Sequence, residues 1–252
     1  YNVTIGSPEH GLFGGVHIYH DARDDDHAIS TYGPQTTIAN THITMAASSQ
    51  DSDGLRLGDT SADAVIGVAA GGKFGQVTII GAPSVGVSIF GLRARLTNIQ
   101  IEGSGSTGII VFNAAGAETK IGSSEEGEFG RVVSNSNGQS GIAVYAPFIV
   151  MQNVHASFNE FSGISIYEDG SGAIVGGDIQ TSSNIRSGIY LNAPNVIVTN
   201  VTSAGNRENG INISSSGNDA QITNCVFSGN RKVGAYINSD RVELRDCRIG
   251  LE

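Results

Sequence analysis

Ser157 to Tyr167 read SFNEFSGISIY, and the arrangement keeps returning: SNSNGQSGIAVY (Ser134 to Tyr145), TSSNIRSGIYLN (Thr181 to Asn192), SAGNRENGINIS (Ser203 to Ser214) and SGNRKVGAYINS (Ser228 to Ser239). With the shared Gly as zero, the anchors are Gly86, Gly108, Gly141, Gly163, Gly188, Gly210 and Gly234, spaced by 22, 33, 22, 25, 22 and 24 residues. Four positions earlier stands Asn137, Asn159, Asn184, Asn206 or Asn230, and ten earlier Asn98, Asn153, Asp178, Asn200 or Asn224. Apolar residues follow the Gly at +1 and +3, as in Ile164/Ile166 and Ile211/Ile213. That alternation marks a strand with one face in a core.

Upstream pairs such as Ile149/Met151 and Val196/Val198 give each unit a second strand, and the residue after the ten-back Asn starts a third. Three short strands in about 23 residues leave no room for a helix, and one such unit has no partner for its apolar face. Stacking the units solves both problems. The fold class is therefore all-β, a parallel β-helix of 22–25 residues per coil, rising by about 4.8 Å per coil. The corner Asn side chains are expected to stack and bond coil to coil, and the repeated Gly to take a backbone conformation other residues disfavour. Cys225 and Cys247, 22 apart, fall at one coil position and are expected as interior neighbours, as two buried thiols with a disulfide the geometric alternative.

The 252 residues read as one domain, with regular coils over 86–252 and irregular coils with long loops over 1–85. In that first third, GVHIYH (Gly15 to His20) and DGLRLG (Asp53 to Gly58) both fit the Gly-zero template. Excursions are expected over 21–35, 59–76 and 113–130. No cap is evident at either end, which suggests a longer parent chain or a homo-oligomer that shields the ends.

Composition narrows the function. A net charge of -10 with three Lys and no basic run argues against nucleic acid and anionic membrane as partners. No run of 18 apolar residues spans a membrane. Two Cys do not place the redox compartment, and the acceptor sites at Asn2, Asn200 and Asn212 matter only in a glycosylating secretory pathway.

The Asn-x3-Gly-Ile-x-[Ile/Val/Leu] units, clearest from Gly86 to Gly250, resemble the right-handed parallel β-helix repeats of the pectin-lyase-like superfamily. The resemblance implies a single-stranded right-handed solenoid. It also implies either an extracellular or cell-surface protein that binds or processes a polysaccharide, as lyase, epimerase or hydrolase, or a noncatalytic adhesin or fibre. SDGL (Ser52 to Leu55) and DDDHAI (Asp24 to Ile29) only echo polygalacturonase motifs, and the later catalytic His and basic motifs are missing. A calcium pectate lyase site with its Arg base does not map either.

On the template, +2 and +4 point outward. Phe90, Phe112, Tyr145 and Tyr167 occupy +4 in four successive coils. They are candidates for sugar stacking, the alternative being a stack that serves stability alone. His17 and Arg56 at +2, with Tyr19 and Asp59 nearby, are candidate catalytic residues: Arg neutralises a uronate carboxylate while His and Tyr act as base and acid. A solvated polar surface is the alternative. Asp24, Asp25, Asp26, Asp51 and Asp53 are candidate Ca2+ ligands or a carboxylate pair for glycoside hydrolysis, against the plainer reading of a hydrated acidic loop. His10, His42 and His155 have no assigned partner.

Overall fold

A strand whose alternate residues are apolar stays folded only if neighbouring strands continue its face and another layer covers it. In the computed structural model, which describes residues 3–7, 9, 15–21, 26–46, 51–112 and 118–250, both conditions are met by stacking. Nine three-residue strands, from Ile29–Thr31 to Ala235–Ile237, pair in parallel and in register as a front sheet. A second series, from Thr4–Ile5 to Glu243–Arg245, and a third, from Val16–Asp21 to Arg248–Gly250, complete each coil. Hydrogen bonds join these two series into one 18-stranded set, because Ile174–Ser182 and Ile197–Ala204 run through the corner between them. The inward Ile, Val and Leu of all three series form one buried cluster along the axis.

The recurring Asn side chains hold the corner before the front sheet. Nδ2 of Asn137 donates to Oδ1 of Asn159 at 2.8 Å, Asn159 to Asn184 at 3.0 Å, Asn184 to Asn206 at 2.9 Å and Asn206 to Asn230 at 2.9 Å. Each Oδ1 also accepts the backbone N–H of the preceding Asn, at 3.0–3.1 Å. The Asn residues ten back have another job. Asn98, Asn153, Asn200 and Asn224, and Asp178 with them, turn the chain between the second and third series with φ from 49° to 63°, a left-handed conformation that Asn and Asp tolerate.

The repeated Gly corrects the conformational expectation. None of Gly86 to Gly234 at position zero has a left-handed φ. The constraint is space: a Cβ on Gly141 would lie 2.7 Å from the Gly163 carbonyl oxygen, 2.8 Å from Asn159 Nδ2 and 2.9 Å from the Ala156 Cβ. The coils are too close for a side chain there.

The first third also departs from the template. Val16–Asp21 pairs with Thr41–Ala46, so GVHIYH belongs to the third series and not to the front sheet. The front strand of that coil is Ile29–Thr31, paired with Leu55–Leu57 and lying inside the expected 21–35 excursion. Alternation alone does not distinguish one solenoid face from another, and Ala28 in place of Gly hid the true strand. The other two excursions are also shorter than read. Strands Val65–Ile66 and Lys120–Ile121 interrupt them, and the inserts proper carry 3-10 segments at Ala69–Gly75 and Gly127–Gly130.

Cys225 is buried and Cys247 half-buried, both free thiols. Burial, the main cause, pushes the Cys225 thiol up to about 11. At the last described coil, inward-facing Ile237 and Ile249 are 42% and 47% exposed.

Candidate functional site

Just past each front strand the chain keeps its register through backbone bonds. Phe112 N–H donates to Ile89 O at 2.9 Å, Tyr145 to Val111 O at 2.8 Å and Tyr167 to Val144 O at 2.9 Å. Locked at the coil spacing, the +4 side chains form one column. Phe90 and Phe112 stack with ring centres 4.3 Å apart and Tyr145 and Tyr167 at 4.4 Å, with a wider 6.3 Å step between the pairs. At that spacing parallel rings use their faces on one another and offer edges and phenol groups to solvent. The column covers the small outward residues beside it: Ser88, Ala143 and Ser165 are no more than 3% exposed.

The column ends in cations. The Arg56 guanidinium lies over the Phe90 ring, 4.5 Å from its centre, and its Nη1 is 3.4 Å from Nε2 of His27. Its Nε is buried without a partner. Nδ1 of His27 accepts the Asp53 backbone N–H at 3.0 Å and sits 3.8 Å from the Asp53 carboxylate. Tyr32 occupies +4 of the first coil, and its ring covers Gly58, where a Cβ would come within 2.2 Å of it. At the other end Tyr190, a +2 residue, meets Tyr167 at 6.0 Å, tilted by 59°. The Arg186 guanidinium lies 4.1 Å from the centre of the Phe161 ring. Phe161, Tyr167, Arg186, Tyr190, Glu208 and Asn212 line a depression of about 160 Å³. Aromatic walls, one cation, one carboxylate and an amide are what a sugar-sized polar ligand requires.

The sequence-derived residues therefore separate. Phe90, Phe112, Tyr145 and Tyr167 share the front column, with Arg56 at its head and exposed Asp59 in the following turn. His17 and Tyr19 lie on the third series, where His17 faces His42 with ring centres 5.8 Å apart and Tyr19 is 73% exposed. They share no face with Arg56; His27 does. Asp24 and Asp25 lie outside the described residues, and Asp26 is exposed. Asp53 is buried and accepts the Val85 N–H at 3.3 Å, while Asp51 is exposed. Among the described residues no three His, Cys, Asp or Glu side chains are grouped to hold a metal. Sequence reasoning missed His27, Arg186 and Tyr190. The available signal for His27 was Tyr32 at +4 behind an Ile29/Thr31 pair.

Burial is the main cause raising Tyr145 to about 12, aided by the charge of and hydrogen bond to Tyr167. Its ordinary value is 10.0. Above that pH the unfolded chain loses the phenol proton while the native state keeps it, so stability falls as pH rises from 10.0 towards about 12. Tyr145→Phe is expected to shrink that alkaline loss, measured by urea unfolding on both sides of pH 10 (about 9 and about 11).

Residues 85–249 match a family model described as the right-handed β-helix region. The periplasmic alginate epimerase AlgG is 13% identical with a TM-score of 0.56, the match covering 88% of this chain and 61% of that one. The A-modules of two Azotobacter vinelandii mannuronan C-5 epimerases also superpose. AlgE4 is 17% identical with a TM-score of 0.53, covering 92% of this chain and 67% of that one. AlgE6 is 13% identical with a TM-score of 0.51, covering 97% and 88%. This chain thus spans about three-fifths of the length of AlgG, and at these identities the likeness is one of fold. No curated protein matches the chain.

Proposed function

The chain belongs to the right-handed β-helix family, and we propose that it binds and processes an extracytoplasmic polysaccharide on the outer face of its front sheet. The observation that carries this reading is the unbroken row from Arg56 through the aromatic column to Tyr190, with a guanidinium at each end. A row along the solenoid axis suits a linear ligand. The depression between Tyr167 and Tyr190 suits one sugar unit, with the Arg186 guanidinium and the Glu208 carboxylate orienting its hydroxyls.

At the other end Arg56, in this reading, neutralises a uronate carboxylate, which raises the acidity of the adjacent C5–H. His27, 3.4 Å away and with Nδ1 taken up by the Asp53 N–H, carries its ring proton on Nε2 and is suited to donate it in the proton transfers at C5. Return of a proton to the opposite face gives epimerisation, and loss of the 4-linked leaving group gives β-elimination. AlgG and the AlgE modules, solved as epimerases of alginate and mannuronan, support this reading through fold alone. Ca2+ bridging an acidic glycan to this acidic protein belongs to the same proposal. One observation favours a noncatalytic scaffold instead: the interior rings spend their faces on one another.

The test is incubation with alginate, pectin and neutral glycans, with and without Ca2+, following new double bonds by absorbance and C5 configuration by NMR. Activity on a polyuronate is expected to fall by about 10²–10⁴-fold in His27→Ala and comparably in Arg56→Ala. Binding without turnover, weakened in Tyr190→Ala, would leave a binding module. Absence of binding to every glycan would leave the scaffold.

A further inference from the structure

Two ten-residue inserts, GVAAGGKFGQ (Gly67 to Gln76) and GSSEEGEFGR (Gly122 to Arg131), occupy the corner between the second and third series. They are built alike. Gly67 and Gly122 open them at φ of 72° and 77°, and Gly72 and Gly127 turn them at 55° and 57°. Val68 N–H donates to Gly75 O at 2.8 Å, and Ser123 N–H to Gly130 O at 2.9 Å, closing each neck. The Asn of the following coil then anchors each insert. Asn98 Nδ2 donates to Gly72 O at 2.6 Å, and Asn153 Nδ2 donates to Ser123 O at 3.1 Å and also bonds Gly127 O.

The coil between them turns this corner tightly at Asn98 and carries no insert. The inserts therefore stand two coils apart, about 9.6 Å, as the walls of a cleft whose floor is Asn98 and Ile99. The cleft holds about 270 Å³, with Lys73 and Gln76 on one wall and Glu128, Phe129 and Arg131 on the other. Lys73 and Gln76 also line an adjoining depression with His17 and His42.

Two cations without a carboxylate partner meet in this cleft. Arg93, Arg95, Lys232, Arg241 and Arg245 are each ion-paired to a carboxylate. Among the described residues neither Lys73 nor Arg131 is in an ion pair. Lys73 lies over the Phe74 ring at 5.1 Å, and Arg131 donates through Nε to Asn153 Oδ1 at 3.2 Å. Two cations against one carboxylate, Glu128, leave the cleft net positive on a protein of charge -10. Phe129 adds an aromatic surface.

We propose that this cleft is a binding site for an acidic sugar unit, its anionic group held between Lys73 and Arg131 and its ring against Phe129. The anchored necks preorganise both walls, so little ordering is required on binding. The site lies at a different corner from the front face and does not depend on activity there.

Calorimetric titration of the whole chain at low salt tests it, with a glucuronate-containing disaccharide, a sulfated monosaccharide, a neutral disaccharide and inorganic sulfate as probes. The carboxylated and sulfated sugars separate the two sources of the anion. The expected result is binding of an acidic sugar, weakened about tenfold by Lys73→Gln and by Arg131→Gln. Glu128→Gln is expected to tighten it, and the part of the binding that Lys73→Gln removes is expected to persist in front-face Arg56→Ala. Lys73 is exposed and makes no hydrogen bond to an insert neck, so Lys73→Gln keeps the test valid if loss of the Asn153 contact unsettles Arg131→Gln. Equal binding of the neutral disaccharide or of inorganic sulfate, an unchanged affinity in Lys73→Gln, or no binding of either acidic sugar would overturn the proposal.

Discussion

Asn159→Ala is expected to cost about 3–5 kcal/mol of unfolding free energy, a large part of the 5–15 kcal/mol typical of a domain. Asn159 is fully buried and all its groups are engaged. Its Oδ1 accepts from the Asn137 backbone N–H at 3.1 Å and from Asn137 Nδ2 at 2.8 Å, and its Nδ2 donates to Asn184 Oδ1 at 3.0 Å and Ser134 O at 3.2 Å. Truncation strands the Asn137 backbone N–H, leaves Asn137 Nδ2 only its bond to Ser134 Oγ and removes the amide donor to Ser134 O, in a place where water reaches only by opening the coil. Each stranded group costs about 1–3 kcal/mol, more than the net worth of the bond it made. Chemical denaturation with an unchanged m-value would read the loss directly. A change below about 1 kcal/mol would mean that the corner rehydrates.

Gly141→Ala is expected to cost about 2–3 kcal/mol, with no polar group removed. The three atoms its Cβ would meet, at 2.7–2.9 Å, are a backbone oxygen, the Asn159 amide and an Ala Cβ held by a buried strand. None is the free end of a flexible side chain, so relief requires coils to move apart. The same measurement on Gly103→Ala is the control for loss of Gly itself: nothing lies within 4 Å of a Cβ there, although its φ of 69° adds backbone strain. Because a Cβ at position 141 would press on Asn159 Nδ2, the double variant with Asn159→Ala is expected to cost less than the two single losses added together.

Legibility followed repetition. From Gly86 onward every coil repeats the Gly and its paired apolar residues, and from Gly141 the four-back Asn as well, so each repeat checks its neighbours and sheet, register and the +4 column were readable. Before Gly86 one altered residue was enough to shift the assignment. Ala28 replaced the Gly, the alternation in GVHIYH fitted the wrong face equally well, and His17 was set beside Arg56 in place of His27. The inserts carry a legible signal, a shared Gly-x5-[Lys/Glu]-Phe-Gly at an interval of 55 residues, which reading coil by coil passes over.

The sequence by itself determined that the chain is a stack of parallel coils with an Asn corner and an outward aromatic row, because period and side-chain chemistry are local properties summed over repeats. Only the tertiary structure decided why the Gly recur, which His meets Arg56 and that Lys73 shares a cleft with Arg131. Those facts depend on distances between coils, and residues 29 or 58 positions apart become neighbours only once the register of the whole stack is set.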